Sequence, residues 1–89
     1  MNKFDLKKRA AIVTGGAQGF GLDIAKRFLK SGARVIIWDN DENELKKLKK
    51  KIKNKNLYKQ MVDVTNPENV EDAIKKITKN MKIDILVNS

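Results

Sequence analysis

Four short apolar runs are spaced along the chain, and stretches with a longer hydrophobic period separate them. Arg9 to Thr14 (RAAIVT), Ala33 to Trp38 (ARVIIW) and Ile83 to Val87 (IDILV) have the pattern of strands buried on both faces. Leu57 to Val62 (LYKQMV) is more polar, which suits the edge of a sheet. Between the first two runs, Ile24, Ala25, Phe28 and Leu29 recur at three- and four-residue spacing, with Lys26, Arg27 and Lys30 opposite them. That spacing predicts a helix from Phe20 onward, with Gly32 placed as its C-terminal cap. Asp39, Asn40 and Asp41 supply turn and N-cap chemistry for a second helix carrying Leu45, Leu48 and Ile52 on one stripe. Asp63 to Glu68 reads as a loop feeding a third helix, with Pro67 at its first position and Val70, Ala73, Ile74 and Ile77 as its apolar stripe. The order βαβαβαβ predicts an α/β fold: a parallel sheet with right-handed crossovers and helices on both faces.

A chain of 89 residues is at most one small domain, and no repeat, low-complexity tract or linker divides it. The absence of cysteine excludes disulfides and Cys-based metal sites, and the absence of histidine removes the commonest general base and zinc ligand, so no metal is expected. The start, MNKFDLKKRA, is too polar for a secretory leader, and the apolar runs fall well short of a membrane span. A cytoplasmic protein without a membrane partner is the default expectation. The formal net charge of +9 raises a nucleic-acid or anionic-surface reading. Its distribution opposes that reading. Most lysines lie between Lys46 and Lys82 on helix-like segments interspersed with acidic residues, only Tyr58 is aromatic there, and no groove-reading motif is present. A solvated face is the simpler account, with no nucleic-acid partner.

The glycines change the picture. The stretch from Val13 to Gly21, VTGGAQGFG, places Gly15, Gly16, Gly19 and Gly21 between the first strand and the first helix. A helix start leaves main-chain N–H groups unpaired and carries partial positive charge, and glycines let a phosphate approach that backbone. Gly15 and Gly16 turn the chain, Gly19 allows close approach, and Gly21 lets the helix pack tightly. A tight turn without a ligand would use the same residues. Gly16 and Gly21 have the separation of a P-loop, but Leu22 and Asp23 follow where Lys and Ser/Thr are needed. The spacing is T-G-x-x-x-G-x-G, carried by Thr14, Gly15, Gly19 and Gly21. Asp39 ends the second strand about twenty residues further on, where a carboxylate accepts hydrogen bonds from an adenosine ribose. It would repel a 2′-phosphate, and Gln18 in the loop supplies no compensating charge, so NAD is favoured over NADP. Taken alone, Asp39 could equally be an N-cap of the next helix.

Together, VTGGAQGFG, VIIWDN, DVTNPE and DILVNS resemble the N-terminal half of the short-chain dehydrogenase/reductase family, across essentially the whole chain and in that family's order. The resemblance implies a Rossmann-type three-layer sheet, incomplete here, with its first four strands in the order 3-2-1-4. Residues 1–89 would be the N-terminal part of one dinucleotide-binding domain, truncated after the fourth strand. It further implies that Gly15 to Gly21, with Gln18, form the pyrophosphate loop and that Asp39 reads the ribose. Asp63 and Val64 would lie along the adenine, and Asn88 would match the first Asn of N-N-A-G, near the cofactor ribose. Phe20 stands where the family usually has Ile or Leu, on the same apolar packing position, and Ser89 replaces the second Asn. Asp63 could instead cap the turn before Pro67, and Asn88 could simply end a strand.

Hydride transfer in this family uses a Tyr-x-x-x-Lys pair, a serine and an asparagine. Here the only tyrosine, Tyr58, is followed four residues later by Val62, and the serines are Ser31 and Ser89, so no catalytic set is assembled. The expectation is an NAD(H)-binding portion of an oxidoreductase acting on an alcohol or ketone, inactive by itself. The N-terminal pattern, Trp38-Asp39 included, is similar to that of 3-oxoacyl-acyl-carrier-protein reductases. The family implies a homo-oligomer for a full-length form. The alternative is a non-catalytic nucleotide-binding or assembly half-domain. With the outer edge of the fourth strand open, such a piece is expected to be marginally stable, aggregation-prone or completed by another chain.

Overall fold

The computed structural model describes residues 8–89. Its elements are β1 (Ala10–Thr14), α1 (Gly19–Lys30), β2 (Arg34–Asp39), α2 (Glu42–Lys51), β3 (Leu57–Met61), α3 (Pro67–Ile77) and β4 (Ile85–Asn88). The amino-terminal stretch read as too polar for a secretory leader lies, up to Lys7, outside the described residues. All strand pairs are parallel, and the sheet order is β3-β2-β1-β4, as the alternation and the resemblance predict.

Successive residues of a strand point to opposite faces, and both faces of β1 and β2 are covered. Val13, Val35 and Ile37 pack with Leu22, Ala25 and Leu29 of α1 and Leu45 and Leu48 of α2. Ala10, Ile12, Ile36 and Trp38 pack on the other face with Ala73 and Ile77 of α3, and with Val62 and Met81. Each such Val, Ile or Leu contributes about 1.5–3 kcal/mol through burial. Burial on two sides is why β1 and β2 read as uninterrupted apolar runs. No described helix is long and apolar enough to cross a membrane.

Local chemistry sets the helix ends. At the end of α1, the Gly32 N–H donates to the Leu29 carbonyl at 3.0 Å and the Ala33 N–H to the Phe28 carbonyl at 3.1 Å, the paired closure of a Schellman motif. Asp41 caps α2 by accepting the Glu44 N–H at 3.2 Å, and Asn66 caps α3 by accepting the Asn69 N–H at 3.2 Å. Pro67 takes the first position of α3.

Several boundaries differ from the sequence reading. Helix α2 stops at Lys51, and Ile52 is its extended C-cap, half-buried against the same core instead of continuing the stripe. Strand β4 begins at Ile85, not Ile83, and runs through Asn88. The cause lies in Asp84, whose side chain turns back onto β1: Oδ2 accepts the Ala10 N–H at 3.1 Å, while its own N–H donates to the Ala10 carbonyl at 2.9 Å. The same carboxylate meets Arg9 at 3.4 Å. Strand β1 starts one residue later than expected and β2 is shifted by one. Strand β3 ends at Met61, with Val62 buried just beyond it.

Candidate functional site

Because all four strands are parallel, their carboxyl ends meet along one edge of the sheet. The chain moves outward from β1 through β2 to β3, then crosses back to place β4 on the other side of β1. Ligands of open α/β sheets bind at such a switch point. At this place the Gly15 and Gly16 N–H groups both turn to the Trp38 carbonyl, at 2.7 and 3.4 Å. The Ala17 N–H donates to Asp39 Oδ2 at 3.3 Å, and the Asp41 N–H donates to Asp39 Oδ1 at 3.0 Å. Asp39 is only 9% exposed and ties the glycine loop to the turn after β2. It is therefore not the N-cap of α2, a role that falls to Asp41. Beside it opens a crevice of about 170 Å³ lined by Thr14, Gly15, Trp38, Asp39, Asn40, Val62, Val64 and Ser89.

The start of α1 forms the other part of the site. Its N-cap residue, Gln18, makes no side-chain cap, and no acidic residue lies in the first turn. Helices α2 and α3 both have a side-chain cap and first-turn acids. The first N–H groups of α1 thus carry their partial positive charge with no acidic side chain of the helix's own first turn beside them. Gly19 has φ +62, and a Cβ on it would meet nothing within 4 Å, so the loop needs glycine for its conformation while the space above it stays open. Gly21 is different. A Cβ there would sit 2.6 Å from Ser89 Oγ and closer still to the Gly15 carbonyl oxygen. The close approach it permits is to the glycine loop and to the residue after β4. Phe20 departs from the expectation of an apolar packing position: it is 86% exposed. The neighbouring first-turn residues Gly21 and Leu22 already fill the inward face.

The remaining predicted residues are placed as follows. Val64 is on the rim of the crevice. Asp63 does not line it. Its Oδ1 accepts the Thr65 N–H at 2.9 Å and the Thr65 hydroxyl at 2.6 Å, and these bonds, the hydroxyl one foremost, hold the carboxyl below its ordinary value. The Asp63 N–H donates to Asn69 Oδ1 at 2.7 Å, while the cap of α3 is Asn66. Asn88 ends β4 beside Thr14, whose hydroxyl lies 3.4 Å from Asn88 Oδ1 and 3.3 Å from the Val87 carbonyl. Ser89 closes this corner: its hydroxyl donates to the Thr14 carbonyl at 2.7 Å. Thr14, of the T-G-x-x-x-G-x-G pattern, and Ser89, in place of the second Asn, also line the crevice, together with Trp38, Asn40 and Val62, which the sequence does not mark as site residues. The available signal was position alone, since each lies at or just beyond a strand's carboxyl end. Among the described residues no group of three or more His, Cys, Asp or Glu side chains could hold a metal ion.

The topology and the glycine loop at its switch point define a doubly wound, Rossmann-like α/β protein. Known proteins narrow this further. The family model described as short chain dehydrogenase matches residues 9–89. An NAD-dependent glycerol dehydrogenase of Listeria innocua is 37% identical over 87 residues, covering 97% of this chain and 34% of that protein. A 3-oxoacyl-[acyl-carrier-protein] reductase of Chlamydia pneumoniae is 38% identical over 84 residues, covering 91% of this chain and 34% of that protein. A crystal structure of a short chain dehydrogenase from Bacillus anthracis superposes with a TM-score of 0.88 at 32% identity, over 97% of this chain and 36% of that one. The chain belongs to the short-chain dehydrogenase family. It spans about a third of the length of the curated relatives it matches.

Proposed function

We propose that the chain binds NAD(H) across this crevice, as the cofactor-binding portion of an oxidoreductase that transfers hydride between the nicotinamide and an alcohol or ketone. The observation that carries the reading is the pairing of an uncapped, acid-free helix start opened by Gly19 with the buried, doubly anchored carboxylate of Asp39. These residues fit a dinucleotide. The N–H groups from Gly15 to Gly21, with Gln18 beside them, would hold the pyrophosphate. Asp39 retains a further lone pair on each oxygen for the adenosine ribose hydroxyls. Val62 and Val64 offer an apolar wall for the adenine, with Asp63 near its edge, and Asn88 lies toward the second ribose. When bound, the nicotinamide supplies the hydride acceptor or donor.

The preference for NAD over NADP rests on the anchoring. Two main-chain donors hold the Asp39 carboxylate, so it cannot rotate away from a 2′-phosphate, and no cationic side chain lines the crevice. The similarity to an NAD-dependent enzyme supports the same choice. The relatives named above act, by their names, on a polyol and on a 3-oxoacyl carrier, which supports alcohol–ketone chemistry without choosing between the two. No observation favours the non-catalytic half-domain. Calorimetric titration with NAD and NADP tests the proposal. NAD is expected to bind more tightly, Asp39→Asn to narrow the NAD/NADP ratio by about tenfold, and Gly19→Val to weaken both by more than about tenfold. A wild-type chain that binds neither nucleotide would overturn it, as would an unchanged ratio in Asp39→Asn.

A further inference from the structure

Along the sequence, acidic residues are interspersed among the lysines, which is why a polyanionic partner is not expected from the sequence. The fold undoes that mixture. Every strand pair is parallel, so each helix carries the chain from the carboxyl edge of the sheet back to its amino edge. Acids gather where helices begin: Asp41, Glu42 and Glu44 open α2, and Glu68 opens α3. Bases gather where helices end: Lys30 in α1, Lys49 and Lys50 in α2, Lys75 and Lys76 in α3. The amino edge, opposite the Asp39 crevice, therefore collects positive charge. Cations in the last turn of a helix complement its dipole, and a solvated helix end explains them. The dipole does not explain the lysines that lie beyond it. Lys53 and Lys55 are in the connection into β3, and Lys79 and Lys82 are in the connection into β4. All four are exposed, and none makes an ion pair with another described residue. Asp84 is the one described carboxylate in the connections at this edge, and Arg9 already meets it at 3.4 Å.

We propose that this edge binds the phosphate backbone of a nucleic-acid duplex without reading its sequence. An edge of one charge sign repels itself and draws in a polyanion. Strands β3 and β4 border the sheet on opposite sides, so the two lysine pairs stand three strand spacings apart. That is about 14 Å, enough to meet phosphates on both sides of a major groove about 12 Å wide. The four cations are lysines, point charges that neutralise phosphates without the fork that reads base edges. None of the exposed large hydrophobic side chains lies in these connections. The edge thus has no row of rings on which unpaired bases would stack and no apolar group to enter a membrane. The proposal does not rest on the cofactor site, which lies at the other edge of the sheet.

Fluorescence anisotropy of a labelled, mixed-sequence DNA duplex, and of the RNA duplex of the same sequence, titrated with the full chain at several salt concentrations, tests the proposal. With one phosphate neutralised by each of the four loop lysines, affinity is expected to fall about a hundredfold between about 50 and 200 mM salt. Lys53→Gln/Lys55→Gln and Lys79→Gln/Lys82→Gln should each reduce the slope of log affinity against log salt by about two. Lys46→Gln/Lys47→Gln removes the same charge from the ion-paired face of α2 and should leave the slope unchanged. These slopes with either duplex support the proposal, and the tighter complex identifies the duplex form. An equal loss of slope in Lys46→Gln/Lys47→Gln would overturn it, because net charge and not the edge would then drive binding. Absence of binding at the lowest salt, tighter binding to the single strand, or sedimentation with phosphatidylserine vesicles but no binding to either duplex would also overturn it. Displacement of the duplex by ADP-ribose would do the same, since the phosphates would then sit at the glycine loop.

Discussion

Both oxygens of Asp39 are already held by main-chain N–H groups, from Ala17 at 3.3 Å and Asp41 at 3.0 Å, and this fixes where its remaining lone pairs point. Sequence spacing could not show it. Asp39 and Asp41 are two residues apart at the start of the same turn, and either could have capped α2. The competition is decided by β2, which carries Asp39 to its buried end and leaves Asp41 as the first residue able to reach the Glu44 N–H. Gly21 shows the same limit from the other side: its glycine was legible as a close-approach residue, but its partners, Gly15 and Ser89, come from opposite ends of the chain. Gly21→Ala is expected to cost about 1–3 kcal/mol, because the obstacle is backbone. Urea denaturation would show this as a lower midpoint with an unchanged slope, and an unchanged midpoint would contradict the packing described. Asp63 supplies a pH-dependent prediction. Its pKa is lowered in the folded chain by the Thr65 hydroxyl and N–H. Its stabilising contribution is therefore complete above the ordinary aspartate pKa and is lost as pH falls below it. Thr65→Ala removes the larger cause. A carboxyl-detected NMR titration should then place the Asp63 pKa higher than in wild type, and an unmoved value would disprove the assignment.

At the scale of elements, the parts that were plain in the sequence are those buried on both sides. RAAIVT and ARVIIW became β1 and β2 within one residue, because a central parallel strand admits almost no polar position. The polar strand β3 was legible as an edge, but the reason for one of its polar residues was not. Gln60 sits opposite Trp38 in the parallel register, accepts the Trp38 indole N–H at 2.8 Å and donates to the Ala73 carbonyl at 3.0 Å. It joins β2, β3 and α3 through one side chain, and it satisfies the donor of a tryptophan that is only 3% exposed. Gln60→Leu leaves that donor without its partner and is expected to destabilise the chain by about 1–3 kcal/mol. A loss below about 0.5 kcal/mol in urea denaturation would mean that the bridge contributes little. The shifted start of β4 has a similar origin, since the side chain of Asp84 takes the Ala10 N–H. Hydrophobic periodicity does not record bonds of that kind.

Across the whole molecule, strand order brings two features together: the crevice by Asp39 and the open helix start at Gly19. Both lie at the carboxyl edge of the sheet, where successive strands switch from one side of β1 to the other. The lysine-rich face of α2 lies elsewhere and is solvated, with Lys46 paired to Glu42 at 3.1 Å and both Lys47 and Lys51 to Glu44 at 3.4 and 3.5 Å. Exposed pairs of this kind contribute about 0–1 kcal/mol each. On the opposite face of the sheet, an apolar hollow of about 190 Å³ beside α3 is bordered by Ile12, Trp38, Ile74, Ile83 and Leu86, the last 60% exposed. The measurement that bears most directly on the central claim is NMR chemical-shift mapping during titration with ADP-ribose. The account predicts that amide shifts cluster at Gly15–Gly21, Asp39–Asn40 and Val62–Val64, saturate together, and vanish in Gly19→Val. Shifts confined to the lysine face of α2 or to the hollow beside α3, or no shifts at all, would contradict it.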